Sequence, residues 1–363
     1  MPNRAIRGAT PLIVILLSGC ATTPFDPATT FTRQVSMAWS LQSLQDEMVV
    51  KISPARQTLR FAGTTGLVIG AGIDAVANSK HREAIREALG DYDAEGVFEA
   101  RLRAGLEGAV PGRIERVAPL GSTGGFKNRA EAEAARLGRL AEAGADFLLD
   151  IETTYGLFGY EGVLVVRLEG DLYRVADGKR LWRNALVVST EPVLADARLS
   201  DPAKSGLIPS SLRLTAAEDA VAQWTVDGGA ALRSRFERAV DGAVSALLCD
   251  LGLTQAPLGE YFLGKLAMYR KQLDAADVHF SKATELDPHF PEARNARAVN
   301  QAYQGNLDEA IAAAIAVTES DPHYPAAWWN LGWWSAEHRK DPAAARIYFE
   351  RAAALGMPAP QGK

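Results

Sequence analysis

Cysteine is nearly absent. The 363-residue chain has two, Cys20 and Cys249, which excludes a cysteine-rich zinc or iron–sulfur module and permits at most one disulfide. Histidine is scarce too, with His81, His279, His289, His323 and His338 the full set. None pairs with a cysteine or another histidine at metal-ligand spacing, so no metal site is expected. His289 and His323 each follow an Asp-Pro pair, which is a turn position. A cationic excess is missing as well: net charge is −5, with acids and bases mixed along the chain. Neutralising phosphates needs a basic surface, so nucleic acid is not an expected partner. G-x-S-x-G, H-E-x-x-H and Walker loops do not occur.

Two stretches approach chemistry and fall short. Gly70-Ala71-Gly72-Ile73-Asp74-Ala75 fits the dinucleotide fingerprint, which also needs a strand before it and a ribose-binding acid at the end of a second strand. Glu87 and Asp91 stand at the right distance but in a helix-like run. A glycine-eased turn or helix start is the expectation over 66–78, and neither nucleotide nor other cofactor is expected. Asp146, Asp150 and Glu152 fall at a strand border, where carboxylates are solvated. No catalytic residue is assigned, and the chain reads as a non-enzyme.

The N-terminus carries an address. Arg4 and Arg7 precede a short apolar run from Pro11 to Leu17, too short to span a bilayer. Leu17-Ser18-Gly19-Cys20 follows and resembles the lipobox of bacterial lipoproteins. The resemblance implies removal of residues 1–19 as a signal peptide and lipid attachment to Cys20. Because Ala21 is not the aspartate associated with inner-membrane retention, it also implies the outer membrane, facing the periplasm. Cys249 then has no intramolecular partner, and its place at the end of an apolar helix suggests a buried, inert thiol.

Residues 20–40 read as a tether, with a first helix expected over Phe31 to Glu47. An α/β domain is expected over 41–253. Helices are read at Ser79 to Leu89, Ala94 to Leu106, Asn128 to Ala143 and Ala230 to Leu251, the last with Leu232, Phe236, Val240, Val244, Leu247 and Leu248 in one stripe. A strand is read over Gly112 to Ala118 and another from Gly144 to about Leu157. Leu164, Val166, Leu168 and Leu172 alternate with Arg167, Glu169, Asp171 and Tyr173, which is a half-buried strand. Asp177-Gly178 turns it into a return strand over Arg180 to Thr190. Glu191 to Ser211 is a long polar excursion of the kind that is either functional or mobile. GADFLLDIETTYGL (144–157) and LYRVADGKRLWR (172–183) are similar to segments of periplasmic α/β domains in outer-membrane lipoproteins, such as the curli-secretion pore subunit and the lipoprotein activator of penicillin-binding proteins. That likeness implies a mixed sheet with a protein-binding role.

The last third repeats itself. Ala276, Phe280, Ala283 and Pro288 recur as Ala310, Ala314, Val317 and Pro322, 34 residues on. A third copy opens with Trp328-Trp329-Asn330-Leu331-Gly332 and continues through Ala345, Phe349 and Ala352. A 34-residue period with a W-x-x-L-G start resembles the tetratricopeptide repeat, a helix–turn–helix unit. Small residues let paired helices approach, a role given to Gly264, Ala298 and Gly332 against Ala276, Ala310 and Ala345. Phe280, Tyr303, Leu331 and Phe349 would fill the space between. Pro288 and Pro322 end second helices, and Asn306 stands where a helix cap would. The resemblance implies three repeats over 254–363 whose first helices line a groove. Its contact positions would be Tyr261, Lys265, Asn295, Val299, Trp329 and Trp333. The two tryptophans share one helix face; they either anchor a ligand or cover the end of the array. The lysine/asparagine clamp that some members use for a C-terminal carboxylate is not matched.

The expectation is an α+β chain: a mixed-sheet α/β domain followed by an all-α repeat array. Its expected role is a lipid-anchored periplasmic scaffold or assembly factor that binds other envelope proteins through the repeats. The rivals are a regulator activating an envelope enzyme such as a cell-wall synthase, and a structural subunit of a secretion pore. Cys20→Ala should release the protein from membranes into the soluble fraction; membrane association that survives the change would rule out anchoring through that residue.

Overall fold

Strand β1 (Ser36–Ser43) runs parallel to neighbours on both sides. The computed structural model describes residues 22–26, 29, 31, 34–45, 47–52, 78–119, 138, 140–142, 144–159, 161–197, 199, 217–357 and 359. The signal peptide, Cys20 and the glycine-rich stretch before Asn78 lie outside the described residues. So do most of the 128–143 helix, whose described residues 138 and 140–142 are helical, and the excursion beyond 199.

The first expectation to fall is the helix over 31–47. Met37, Ala38, Trp39, Ser40 and Leu41 are all buried, because β1 pairs with β3 (Arg113–Arg116) on one side and β4 (Phe147–Phe158) on the other. A parallel strand covered on both faces loses its alternation, so period two is invisible in the sequence. The 20–40 tether is corrected with it. β1 begins at Ser36, Thr23 exchanges two 2.9 Å backbone bonds with Arg183, and Phe31 packs edge-on against Phe147.

β2 (Val49–Lys51) continues along the same side of β4 that β1 occupies. β5 (Val163–Arg174) and β6 (Lys179–Val188) complete a six-stranded mixed sheet in the order β3-β1-β4-β5-β6, with β2 beside β4. The alternation read in β5 is realised in part: Leu164, Val166, Leu168 and Leu172 are buried while Arg167, Glu169 and Asp171 stay half-exposed, but Tyr173, read on the polar face, is buried in a cluster with Ala38, Leu140 and Leu148.

Helix α1 (78–89) and α2 (Ala94–Ala109) follow β2, and α3 (Ala217–Thr225) leads through a short 3-10 turn into α4 (Ala230–Asp250). α4 joins the two halves. Its buried stripe, including Leu232, Phe236, Val240, Leu247 and Leu248, packs on β5, β6 and α2. At its far end Asp250 accepts 2.8 Å bonds from Trp182 Nε1 and Asn184 Nδ2 of β6.

The array is three helical hairpins: α5 (Pro257–Tyr269) with α6 (Leu273–Leu286), α7 (Pro291–Tyr303) with α8 (Leu307–Ser320), and α9 (Pro325–Glu337) with α10 (Pro342–Ala354). A Cβ on Gly264 would come within 2.6 Å of Phe280, and one on Gly332 within 2.7 Å of Phe349. Those glycines are therefore the slots into which second-helix aromatics insert. Asn306 occupies the N-cap position of α8, but its side chain makes no capping bond; the side chain that caps is Asp341, which accepts from Ala343 and Ala344 amides of α10.

The joint between halves has the same construction. A Cβ on Gly242 of α4 would lie 2.2 Å from the Phe262 ring of α5. Gly242→Ala should cost about 1–3 kcal/mol by overpacking. Gly108→Ala, in α2 with open space around the added carbon, should be neutral or stabilising by up to about 1 kcal/mol. Urea unfolding midpoints compare the two; equal midpoints would refute the tight α4–α5 joint.

Candidate functional site

Tyr261 and Lys265 stand one turn apart on α5, Asn295 and Val299 on α7, and Trp329 and Trp333 on α9. The three first helices bring them to one face. That face is covered, contrary to an open groove. Tyr261, Lys265, Asn295, Val299 and Trp329 are buried, with Asn295, Val299 and Trp329 at 0% exposure, and only Trp333 stays half-exposed. Over Lys265, Asn295 and Trp329 the cover is the chain itself, residues 189–197 after β6; Tyr261 lies against Phe262, Phe280 and Phe290.

The contacts follow the segment residue by residue. Lys265 Nζ donates to Ser189 O at 2.8 Å and to Glu191 O at 2.6 Å. Asn295 Nδ2 donates to Val193 O at 3.0 Å. Asn330 Nδ2 donates to the same carbonyl at 3.3 Å and to Asn295 Oδ1 at 2.9 Å. Asn330 Oδ1 in turn accepts from Ala195 N at 2.8 Å. Tyr303 OH donates its one proton to Ala197 O and lies 3.4 Å from Ala195 O. Carbonyls 189, 191, 193, 195 and 197 thus all face the array. The spacing is two, but the segment is no continuous strand: it bends at Glu191 and turns over Leu194–Ala197, where Ala197 N donates to Leu194 O at 3.2 Å.

Side chains add apolar anchors. Val193 joins the main core, and Leu194 enters a cluster with Ala326, Trp329, Ala345, Phe349, Ala352 and Met357. Burying each aliphatic side chain contributes about 1.5–3 kcal/mol. Trp329 stacks on Trp333 with centroids 5.7 Å apart and meets Phe349 edge-on. Of the pair, Trp329 is core, in the cluster that Leu194 enters, and Trp333, stacked on it, stays half-exposed.

Sequence reasoning missed Asn330 and assigned Tyr303 to packing alone. Asn330 is one position off the repeat register of Asn295, so periodicity does not pair them. The available signal was compositional. Asparagine disfavours helix interiors, yet Asn295, Asn300 and Asn330 sit buried within helices, and all three hydrogen-bond to backbone carbonyls. Leu331 and Gly332 pack in the repeat core as expected, whereas Trp328 is half-buried and donates from Nε1 to Pro322 O.

Elsewhere, Cys249 is half-buried, with its thiol pushed up by burial, which disfavours the reactive thiolate. Asp146 is held below the usual carboxylate range by Ser36, whose backbone amide and hydroxyl both donate to it. Glu152 is raised, first by burial and then by Asp150, Glu169 and Asp171.

No family model and no curated relative matches the chain. Among solved structures it is similar to YrrB, described as a tetratricopeptide-repeat protein with an unusual peptide-binding site, at 25% identity over 38% of this chain and 77% of that one, with a TM-score of 0.27. It is also similar to a PelC dodecamer from Paraburkholderia phytofirmans, at 13% identity over 64% of this chain and 96% of that one, with a TM-score of 0.28. Superpositions this loose carry no weight for function.

Lys265 gives a pH test. Burial lowers it from 10.5 to about 7, against the upward pull of Glu191 and Glu292. A neutral amine still has two protons for its two carbonyl partners. Between about 7 and 10.5 the unfolded chain holds a proton that the folded chain does not, so stability rises with pH across that window and is lower below it. The urea midpoint should therefore be higher at about pH 9 than at about pH 6, and Lys265→Met should flatten this slope. An unchanged slope in Lys265→Met would show that the amine stays charged in the fold.

Proposed function

We propose that this protein is a lipid-anchored interaction scaffold of the bacterial envelope. It is held at the outer membrane through Cys20, faces the periplasm, and binds other envelope proteins through the face formed by α5, α7 and α9. The observation that carries this function is the grip on residues 189–197. Lys265, Asn295, Asn330 and Tyr303 contact backbone atoms of a bound segment that bends at Glu191 and turns over Leu194–Ala197. A surface that recognises backbone atoms can hold a peptide with little regard to most of its side chains. The sequence Leu17-Ser18-Gly19-Cys20 supports the anchor. The chemistry at this face is recognition: its polar groups are donors and acceptors already matched to a peptide backbone.

Site-specific photo-crosslinking in intact envelopes tests this. A photoreactive aromatic replacing Trp333, at the rim of the face, should yield protein adducts. The same group replacing Val278, which is 65% exposed on α6, should yield few. Adducts equally frequent at both positions, or absent from both, would overturn binding through this face. If a captured partner is an enzyme whose turnover changes on addition of this protein, the scaffold is also a regulator.

A further inference from the structure

The segment on the repeat face is held by side chains and not by a strand ladder. β6 ends at Val188, and residues 189–197 have no strand pairing of their own. Among the described residues, the backbone–backbone bond within the segment is Ala197 N to Leu194 O. The array is positioned without it, because α4 and α5 interlock through Gly242 against Phe262 and Gly259 against Ser245 and Cys249. Lifting the segment would uncover the amides of Asn295 and Asn330, the Lys265 amine and the Leu194 pocket, and it would leave both sheet and repeat packing in place.

We propose that residues 189–197 are a built-in competitor: they occupy the peptide-binding face at rest, and a segment of a partner protein with two adjacent aliphatic residues, able to take the same bend and turn, displaces them. The match required of the incoming chain is set by what is bound now. Its carbonyls must fall at period two, its aliphatic pair must take the places of Val193 and Leu194, and an amide must meet Asn330 Oδ1 as Ala195 N does. Pro192 precedes the pair, so a proline is tolerated there. The competitor is tethered immediately after β6, which gives it the high effective concentration of an intramolecular ligand. Weak or poorly matched segments are thereby rejected, and specificity arises from the threshold as much as from the contacts. The inference rests on the scaffold function only for the source of the displacing chain.

The test uses the full-length protein and a labelled synthetic peptide of residues 189–199, STEPVLADARL. Val193→Ser with Leu194→Ser removes the anchors of the tethered copy and should raise affinity for the free peptide at least tenfold over wild type. Adding Asn295→Ala and Asn330→Ala should abolish that gain. Equal binding by wild type and the opened variant, or binding by neither, overturns the proposal. Hydrogen exchange on the wild-type protein needs no variant. The Ala195 amide should exchange through local opening, at least tenfold faster than amides of β5 and α4, and faster still with excess peptide. Exchange of Ala195 only together with β5 and α4 would show a permanent structural brace. Because the probe is the chain's own sequence, a negative here is separate from a negative in the envelope crosslinking.

Discussion

What the repeat face does depends on a single polar solution: side-chain amides, an amine and a phenol satisfying the backbone of an irregular segment in a buried place. Buried carbonyls without partners each cost free energy comparable to a lost hydrogen bond. Residues 189–197 have no ladder to join, so Lys265, Asn295, Asn330 and Tyr303 supply what a neighbouring strand would supply. The same groups would be under-satisfied if the segment left and nothing replaced it. Each side of the contact thus requires the other or a substitute for it.

This polar grip is set in apolar packing that runs without a break through the molecule. One cluster of buried side chains extends from Met37 and Trp39 in the sheet, through Phe236 and Leu247 of α4, to Leu331 and Trp334 of α9. α4 serves both halves. It closes one face of the sheet with its aliphatic stripe and offers Gly242 and Ser245 to α5. The first repeat therefore needs no separate N-terminal cap. The α/β domain caps it.

The helical repeats, β5, β6, α2 and α4 were legible in the sequence because their patterns are local. A 34-residue period records nearest-neighbour contacts between adjacent hairpins, and Gly264 and Gly332 mark where an aromatic enters. β1 was misread because its partners Arg113–Arg116 and Phe147–Phe158 are far along the chain. Burial on both faces also removed the alternation that marks a strand. Repeat position gave six residues for the face, and the burial of five of them, Tyr261, Lys265, Asn295, Val299 and Trp329, was not foreseen. The bonds that tie Lys265 and Asn295 to the covering segment join residues 74 to 102 positions apart.

The sequence by itself determined the class of the fold and the three hairpins whose first helices form the repeat face. Each follows from side-chain size and polarity at fixed spacing along a helix. Only the tertiary structure decided what that face touches. An irregular segment has no period to read, and its hydrogen bonds are made by its backbone, which is the same at every residue. The identity of the occupant is therefore absent from the pattern of side chains and appears only when β6 delivers residues 189–197 onto α5, α7 and α9.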